Sequence, residues 1–361
     1  MAAACKLLLT TVPGLEDVAL EEVKELLTVV SYTLRPYGLK GRLIVTCKES
    51  AEEAVDRLCL KARSIERVFV ILASDLLREG DLVDSLKYLF KKVPKEAITS
   101  PYLTFAVRAE REGAHKFTSL DVARLSGECL QEAVEEEVGL KPLISLDNPF
   151  IELLVDVAGE NITVGINASG LRGLHDREYR VYYHPASLNP IIAHAMARLA
   201  KVKGVKSLLD PMCGSGTLAI EAALYGEVKE IYCMDINPMH LEGAKENLKR
   251  AGLIDRAKLI LGDALKLEEH FKPGEIDRVL VNPPYGIRVK GSLEPKELYR
   301  SLLRSIGRIA SKDCIVGLLT PRRKLFKGLA LKEGFEIIHE RRVEHGGLTN
   351  YVFIFKKKVN P

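Results

Sequence analysis

Tryptophan is absent from this 361-residue chain and glutamine occurs once, at Gln131. With Lys, Arg and Glu abundant, that balance is the one expected of proteins that work at high temperature. Seven cysteines (Cys5, Cys47, Cys59, Cys129, Cys213, Cys233 and Cys314) are scattered without a C-x-x-C spacing, and no histidine joins them in a ligand pattern. A disulfide framework and a zinc site are thereby excluded. Long apolar runs are missing too: Leu7 to Leu9 is short, broken by Pro13-Gly14 and followed by acidic residues, so neither a signal peptide nor a membrane span is expected. These absences leave a cytosolic, metal-free protein as the expectation, and a monomer is expected besides.

Excess charge of one sign is also small overall, at +4, but it is unevenly placed. Residues 1–170 hold 20 Lys and Arg against 27 Asp and Glu, and the remainder holds 33 against 22. A nucleic-acid contact in the first half must therefore come from local clusters. Two present themselves: Lys87, Lys91, Lys92 and Lys95, and Arg108, Arg111, His115 and Lys116 beside Phe117. Cations next to an aromatic ring suit RNA. In the second half, Arg172, Arg177, Arg180 and Tyr182 lie in a stretch without sustained period, and Arg322, Arg323, Lys324 and Lys327 form a basic group near the C-terminus.

What the chain does have is a pair of short motifs. Asp210-Pro-Met-Cys-Gly-Ser-Gly-Thr217 follows the apolar run Val205 to Leu209 and opens a helical pattern from Leu218 to Leu224. Gly214 and Gly216 let the backbone turn tightly and approach a ligand. Asn282-Pro-Pro-Tyr285 follows another apolar run, Arg278 to Val281. Between them stand Asp235-Ile236 and Gly262-Asp263-Ala264, each after its own apolar run, and such positions fall at successive strand ends, where an open α/β sheet binds its ligand. The glycines alone also satisfy G-x-G-x-x-G/A with Asp235 about 20 residues beyond, so a dinucleotide-dependent dehydrogenase competes. The last apolar runs, Phe335 to Val343 and Thr349 to Phe355, have no helix between them and fit a closing antiparallel hairpin, whereas a dehydrogenase half would insert a crossover helix.

Residues from about Ser187 onward resemble a class I S-adenosylmethionine-dependent methyltransferase domain, and Asn282-Pro-Pro-Tyr285 is similar to the stretch found in enzymes that methylate exocyclic amines of bases. Phe105-Ala-Val-Arg108, Gly113 to Ser119 and the helical pattern from Leu120 to Glu137 resemble a THUMP domain, an RNA-binding module. Asp147 to Arg180 is similar to the junction between THUMP and methyltransferase domains in guanine-N2 methyltransferases of tRNA and 23S rRNA. The resemblance covers nearly the whole chain. It implies an α/β fold with a Rossmann-like methyltransferase domain at 187–361, a linker at 170–186, a THUMP domain at 75–169 and an N-terminal ferredoxin-like α+β domain at 1–74. Methyl transfer to N2 of a guanosine in tRNA is implied, at position 6 of the acceptor stem, with 23S rRNA as the rival substrate. Asn282 argues mildly against the position-10 enzymes, which carry Asp there. A DNA adenine methyltransferase would not need the THUMP-like half, and a non-enzymatic RNA-binding protein would not need Asn282.

The chemistry assigns the roles. An exocyclic amine is a poor nucleophile because its lone pair is delocalised into the ring. If the Asn282 side-chain oxygen and the Pro283 carbonyl accept its N–H groups, the lone pair is freed towards the methyl group, and both bonds strengthen as charge develops. Tyr285 offers a face on which an extruded base can stack. For the cofactor, Asp210 and Cys213, Gly214, Ser215, Gly216 and Thr217 are expected around the methionine end, with Ser187, Leu188 and Asn189 beside it. Asp235 is expected on the ribose hydroxyls, Ile236 on adenine, and Asp263 with Ala264 at the adenine amino group. Cys213 is expected to be a packing residue, since free cysteine mostly behaves as a small hydrophobe.

Overall fold

A computed structural model describes residues 5–78, 82–94, 104–183, 187–284 and 293–358. Its contacts divide the chain into two units, Ala19–Leu174 with the segment up to Thr11, and His175–Pro361 with Val12–Val18.

The first unit is built on one eight-stranded sheet. In chain order its elements are β1 (Cys5–Thr10), α1 (Glu16–Leu26, whose start counts with the second unit), β2 (Val29–Leu34), β3 (Arg42–Cys47), α2 (Ala51–Lys61) and β4 (Arg67–Leu76). Then follow α3 (Leu82–Lys91), β5 (Thr104–Glu112), α4 (Ser119–Val138), β6 (Leu143–Ile144), β7 (Ile151–Ala158) and β8 (Asn161–Asn167). The spatial order is β2-β3-β1-β4-β8-β7-β5-β6. Two cores lie along it. Ala19, Leu20 and Val23 of α1 and Ala54 and Leu58 of α2 pack with Leu7, Leu43, Val45 and Val68. Leu86 and Phe90 of α3 and Val122 and Leu130 of α4 pack with Phe105, Leu153 and Val164. The boundary at 74/75 falls inside β4, which pairs with β1 along one edge and β8 along the other, so both halves share a single sheet. α4 starts where the sequence places it because Thr118 and Asp121 form a reciprocal capping box, and it stops at Gly139 in the left-handed conformation.

The second unit contains α5 (Pro190–Leu199), β9 (Ser207–Asp210), α6 (Thr217–Gly226), β10 (Glu230–Asp235), α7 (Pro238–Arg250) and β11 (Ala257–Leu261). It continues through β12 (Ile276–Val281), α8 (Pro295–Ile309), β13 (Ala310–Thr320), α9 (Arg323–Lys332), β14 (Phe335–His345) and β15 (Leu348–Lys357). Seven strands run in the order β11-β10-β9-β12-β13-β15-β14. β9 to β13 pair in parallel, while β15 enters antiparallel between β13 and β14. Strand periodicity of two sorts the side chains. Leu208, Cys233, Leu280 and Ile354 meet α5, α6 and α7 on one face, and their neighbours Leu209, Met234, Val281 and Phe355 meet α8 and α9 on the other. The sheet is thus covered on both sides, as a parallel sheet requires, and the hairpin β14/β15 takes the place of a dehydrogenase crossover. Among the described residues, no helix is long and apolar enough to cross a membrane.

Candidate active site

The site lies at the carboxyl ends of β9, β10, β11 and β12. Parallel pairing sets Cys233 opposite Asp210, Asp235 opposite Leu261, and Val279 opposite Leu209. The order of the strands reverses between β9 and β12, the point at which such a sheet leaves a crevice. Asp210, Asp235 and Asp263 end or follow β9, β10 and β11 on one side, and Asn282 follows β12 on the other.

The loop after β9 is shaped by its glycines: φ is 52° at Gly214 and 78° at Gly216, the left-handed region in which a Cβ is strained. A Cβ on Gly216 would also come within 3.3 Å of that of Ala244. The Cys213 amide donates to the Met234 carbonyl at 2.9 Å and the Gly216 amide to the Cys213 carbonyl at 2.8 Å, which folds the loop over the end of β10. Thr217 then starts α6, so the turn feeds directly into a helix N-terminus. The Ser187 and Ser215 hydroxyls lie 2.9 Å apart, joining the segment before α5 to this loop.

Asp210 is buried, and burial lifts its carboxyl to about 8, with the nearby Asp235 charge acting in the same direction. Among the described residues its donor is the Met212 amide at 3.3 Å. Asp235 is more fully held: Oδ2 accepts from the Gly214 amide at 2.9 Å, and Oδ1 from the Asn237 amide at 2.9 Å. Ile236, which follows it, and Leu261, opposite it at the end of β11, are 72% and 58% exposed, which is unusual for large apolar groups and suits a flat apolar ring. Asp263 accepts from the Leu265 amide at 2.9 Å through Oδ1 and leaves Oδ2 unengaged among the described residues. Ala264 is buried in the core. The residues present therefore fit a ligand with an ammonium end, a ribose and an adenine.

Several expected residues have other duties. Leu188 is a core side chain and can serve a ligand only through its backbone, and the Asn189 side-chain oxygen accepts from the Ile191 amide at 2.8 Å as the cap of α5, which leaves its backbone and Nδ2 for a ligand. The buried Cys213 thiol lies against that of Cys233, and this neighbour together with burial holds it well above the ordinary thiol range, which makes it a packing group. Asn282 is half-buried, Pro283 buried and Pro284 exposed. Tyr285 and Lys95 lie outside the described residues.

The RNA candidates divide in the same way. Lys91, Lys116, Arg172 and Arg322 are exposed. Lys92 pairs with Asp75 at 2.8 Å, Arg108 with Glu152 at 3.2 Å, and Arg323 with Glu340. Arg111 donates to the Gly113 carbonyl at 2.7 Å, and His115 stacks on Phe117 with ring centroids 4.8 Å apart. Arg177, expected on the path of the RNA, is instead turned inward: its Nε lies 3.1 Å from Oε1 of Glu221, which has no exposed side-chain surface. Tyr182, expected beside it, packs its ring on Gly243, where a Cβ would come within 2.2 Å.

Sequence reasoning missed what anchors this stretch. The Tyr179 hydroxyl donates to Glu221 at 2.8 Å. Asn247, fully buried, accepts from the amides of Val181 and Tyr182, both at 2.9 Å, and donates to the carbonyls of Tyr182 at 3.0 Å and Ser215 at 2.8 Å. All four hydrogen-bonding positions of that amide are filled, tying residues 181–182 to the glycine loop. A signal existed: Glu221 is a charge inside the otherwise apolar helix α6, and Asn247 sits at an apolar position of α7 beside Ala244 and Leu248.

Known proteins resemble this chain over nearly its whole length. The RMKL-like methyltransferase domain matches residues 177–350, and the THUMP domain matches residues 82–167. A protein of Archaeoglobus fulgidus named tRNA (guanine(6)-N2)-methyltransferase is 32% identical over 96% of this chain and 91% of its own length. One of the same name from Thermus thermophilus is 34% identical over 96% and 98%. The crystal structure of TrmN from Thermus thermophilus superposes with a TM-score of 0.83 at 32% identity, covering 98% of this chain and all of that one. The chain belongs to the family of THUMP-containing methyltransferases that these proteins represent.

Proposed function

We propose that this chain transfers a methyl group from S-adenosylmethionine to the exocyclic N2 of a guanosine in tRNA, at position 6 of the acceptor stem, acting as a cytoplasmic monomer. The observation that carries this is the crevice between β9 and β12. On one side Asp235 and Asp263 stand beside exposed apolar Ile236 and Leu261, and on the other Asn282-Pro283 ends the neighbouring strand. Substrate and position come from the names of the relatives that match over nearly the full length.

Asp235 would hold the ribose, Asp263 the adenine amino group, and Asp210 with the Cys213 to Thr217 loop the methionine end. Bound there, S-adenosylmethionine supplies a methyl group already activated by its sulfonium. Asn282 Oδ1 and the Pro283 carbonyl accept the two N–H groups of the guanine amine and orient its lone pair, so positioning supplies most of the catalysis. The proton lost from the methylated amine passes to solvent, and no general base is required. Residues 1–74 would act as the ferredoxin-like support, 75–169 as the THUMP grip and 170–186 as the linker. Lys91, Lys116, Arg172 and Arg322 are the exposed cations proposed to meet phosphate.

The test is incubation with labelled S-adenosylmethionine and unmodified tRNA transcripts, then nucleoside analysis and mapping. N2-methylguanosine at position 6, lost in Asn282→Ala, is the expected result. Label on 23S rRNA alone would move the substrate, and no transfer to RNA would overturn the reading.

A further inference from the structure

We infer that His240 is a positioning residue for the cofactor, locking the Asp235 carboxylate in the orientation that reads the ribose. The inference rests on Asp235 being the ribose carboxylate. α7 begins with Asn237 as its cap, and the Asn237 Oδ1 accepts from the Met239 amide at 2.9 Å. Because that backbone N–H can only donate, the amide cannot be flipped, and Asn237 Nδ2 is left facing the His240 ring, 3.2 Å from Nε2. An amide NH2 only donates, so Nε2 must accept, and the ring proton is placed on Nδ1. Nδ1 lies 3.3 Å from Asp235 Oδ1.

The donors around Asp235 are then asymmetric. Oδ1 receives two, the Asn237 amide and His240 Nδ1–H, and Oδ2 receives one, the Gly214 amide. A carboxylate oxygen offers about two lone-pair sites. Oδ1 is filled, and among the described residues Oδ2 keeps one site free on the side of the glycine loop. Without His240 the carboxylate has a single donor on each oxygen and can rotate between them. The chain of bonds from helix cap to imidazole to carboxylate thus makes the start of α7 part of the cofactor site, although neither Asn237 nor His240 needs to touch the ligand.

The experiment is calorimetric titration of the full-length protein with S-adenosylhomocysteine and with its 2′,3′-dideoxy analogue, in wild type, Asp235→Ala, His240→Phe, His240→Ala and His240→Asn, each checked for thermal stability. In the wild type the dideoxy analogue should bind more weakly by about tenfold or more, as expected for hydrogen bonds to a charged group. That penalty should shrink in both His240→Phe and His240→Ala and return in His240→Asn, whose amide nitrogen can take the place of Nδ1. Imidazole nitrogen shifts should report the Nδ1–H tautomer. An unchanged penalty in His240→Phe and His240→Ala, with Asp235→Ala impaired, would overturn the inference alone, as would an Nε2–H tautomer. An unimpaired Asp235→Ala would instead overturn the assignment of Asp235 to the ribose, and with it the inference.

Discussion

Each unit buries an aspartate whose carboxyl is raised, and these two are treated differently. In the first unit Asp156 on β7 faces Arg42, with Nη1 and Oδ1 3.0 Å apart and both side chains at most 10% exposed. Burial raises its carboxyl and Arg42 opposes the rise, leaving it at about 6. In the second unit Asp210 has no cation beside it among the described residues, and burial takes it to about 8. A carboxylate serving only the fold is given a partner by the fold, because an unpaired buried charge is costly. One that stays without a partner at the mouth of a crevice is suited to a cation that arrives with the ligand. The buried Glu221, paired with Arg177, follows the same rule as Asp156, and the arginine that looked like an RNA contact is its counter-ion.

The largest expected effect breaks the comparison at its functional side. Asn282→Ala should lower kcat by about 10²- to 10³-fold, the usual loss on removing one transition-state hydrogen-bonding group, with tRNA affinity and thermal stability nearly unchanged. A kinetic assay with a binding measurement decides it. On the structural side, Arg177→Ala removes the counter-ion of the buried Glu221 and should destabilise the second unit by about 3–5 kcal/mol. Chemical unfolding reads this, and weakened RNA binding without loss of stability would return Arg177 to the RNA path.

The aspartates themselves give a pH test. Both carry pKa values raised in the folded state, so their favourable share of stability is complete at low pH and is lost as pH rises: for Asp156 through about 6, for Asp210 through about 8. Without ligand, the wild type should lose stability relative to Asp210→Asn between about pH 4 and pH 8, as measured by thermal melts across that range. S-adenosylmethionine should reverse the sign locally, because its ammonium favours the ionised carboxyl. Binding near pH 7 should release protons, seen as a dependence of calorimetric heat on buffer ionisation. The smallest effect is expected at the surface: Lys116→Ala should reduce the slope of log K against log salt by about one. The same substitution at Lys92, which already pairs with Asp75, should change it less.

The sequence by itself determined the elements and the list of polar groups at strand ends. α4 could be read to within a residue at each end because its cap and its αL glycine are local chemistry, and the hairpin β14/β15 because no helix fits between two β-period runs. β2 was missed because it is an edge strand whose residues are largely exposed, so no buried face imposes a period on it. β6, two residues long, carries no pattern at all. Asp210, Asp235, Asp263 and Asn282 were legible because a doubly wound sheet always exposes its carboxyl ends. Only the tertiary structure decided which charges were already spent. Whether Arg177, Lys92 or Arg108 is available to a phosphate depends on a carboxylate 17 to 44 residues away. Likewise Asn247 and His240 acquire their roles only when α7 packs beside the glycine loop and β10. Local propensity and periodicity act over a few residues, whereas the pairing of a buried polar group is settled by whichever distant segment the folded core brings within hydrogen-bond reach.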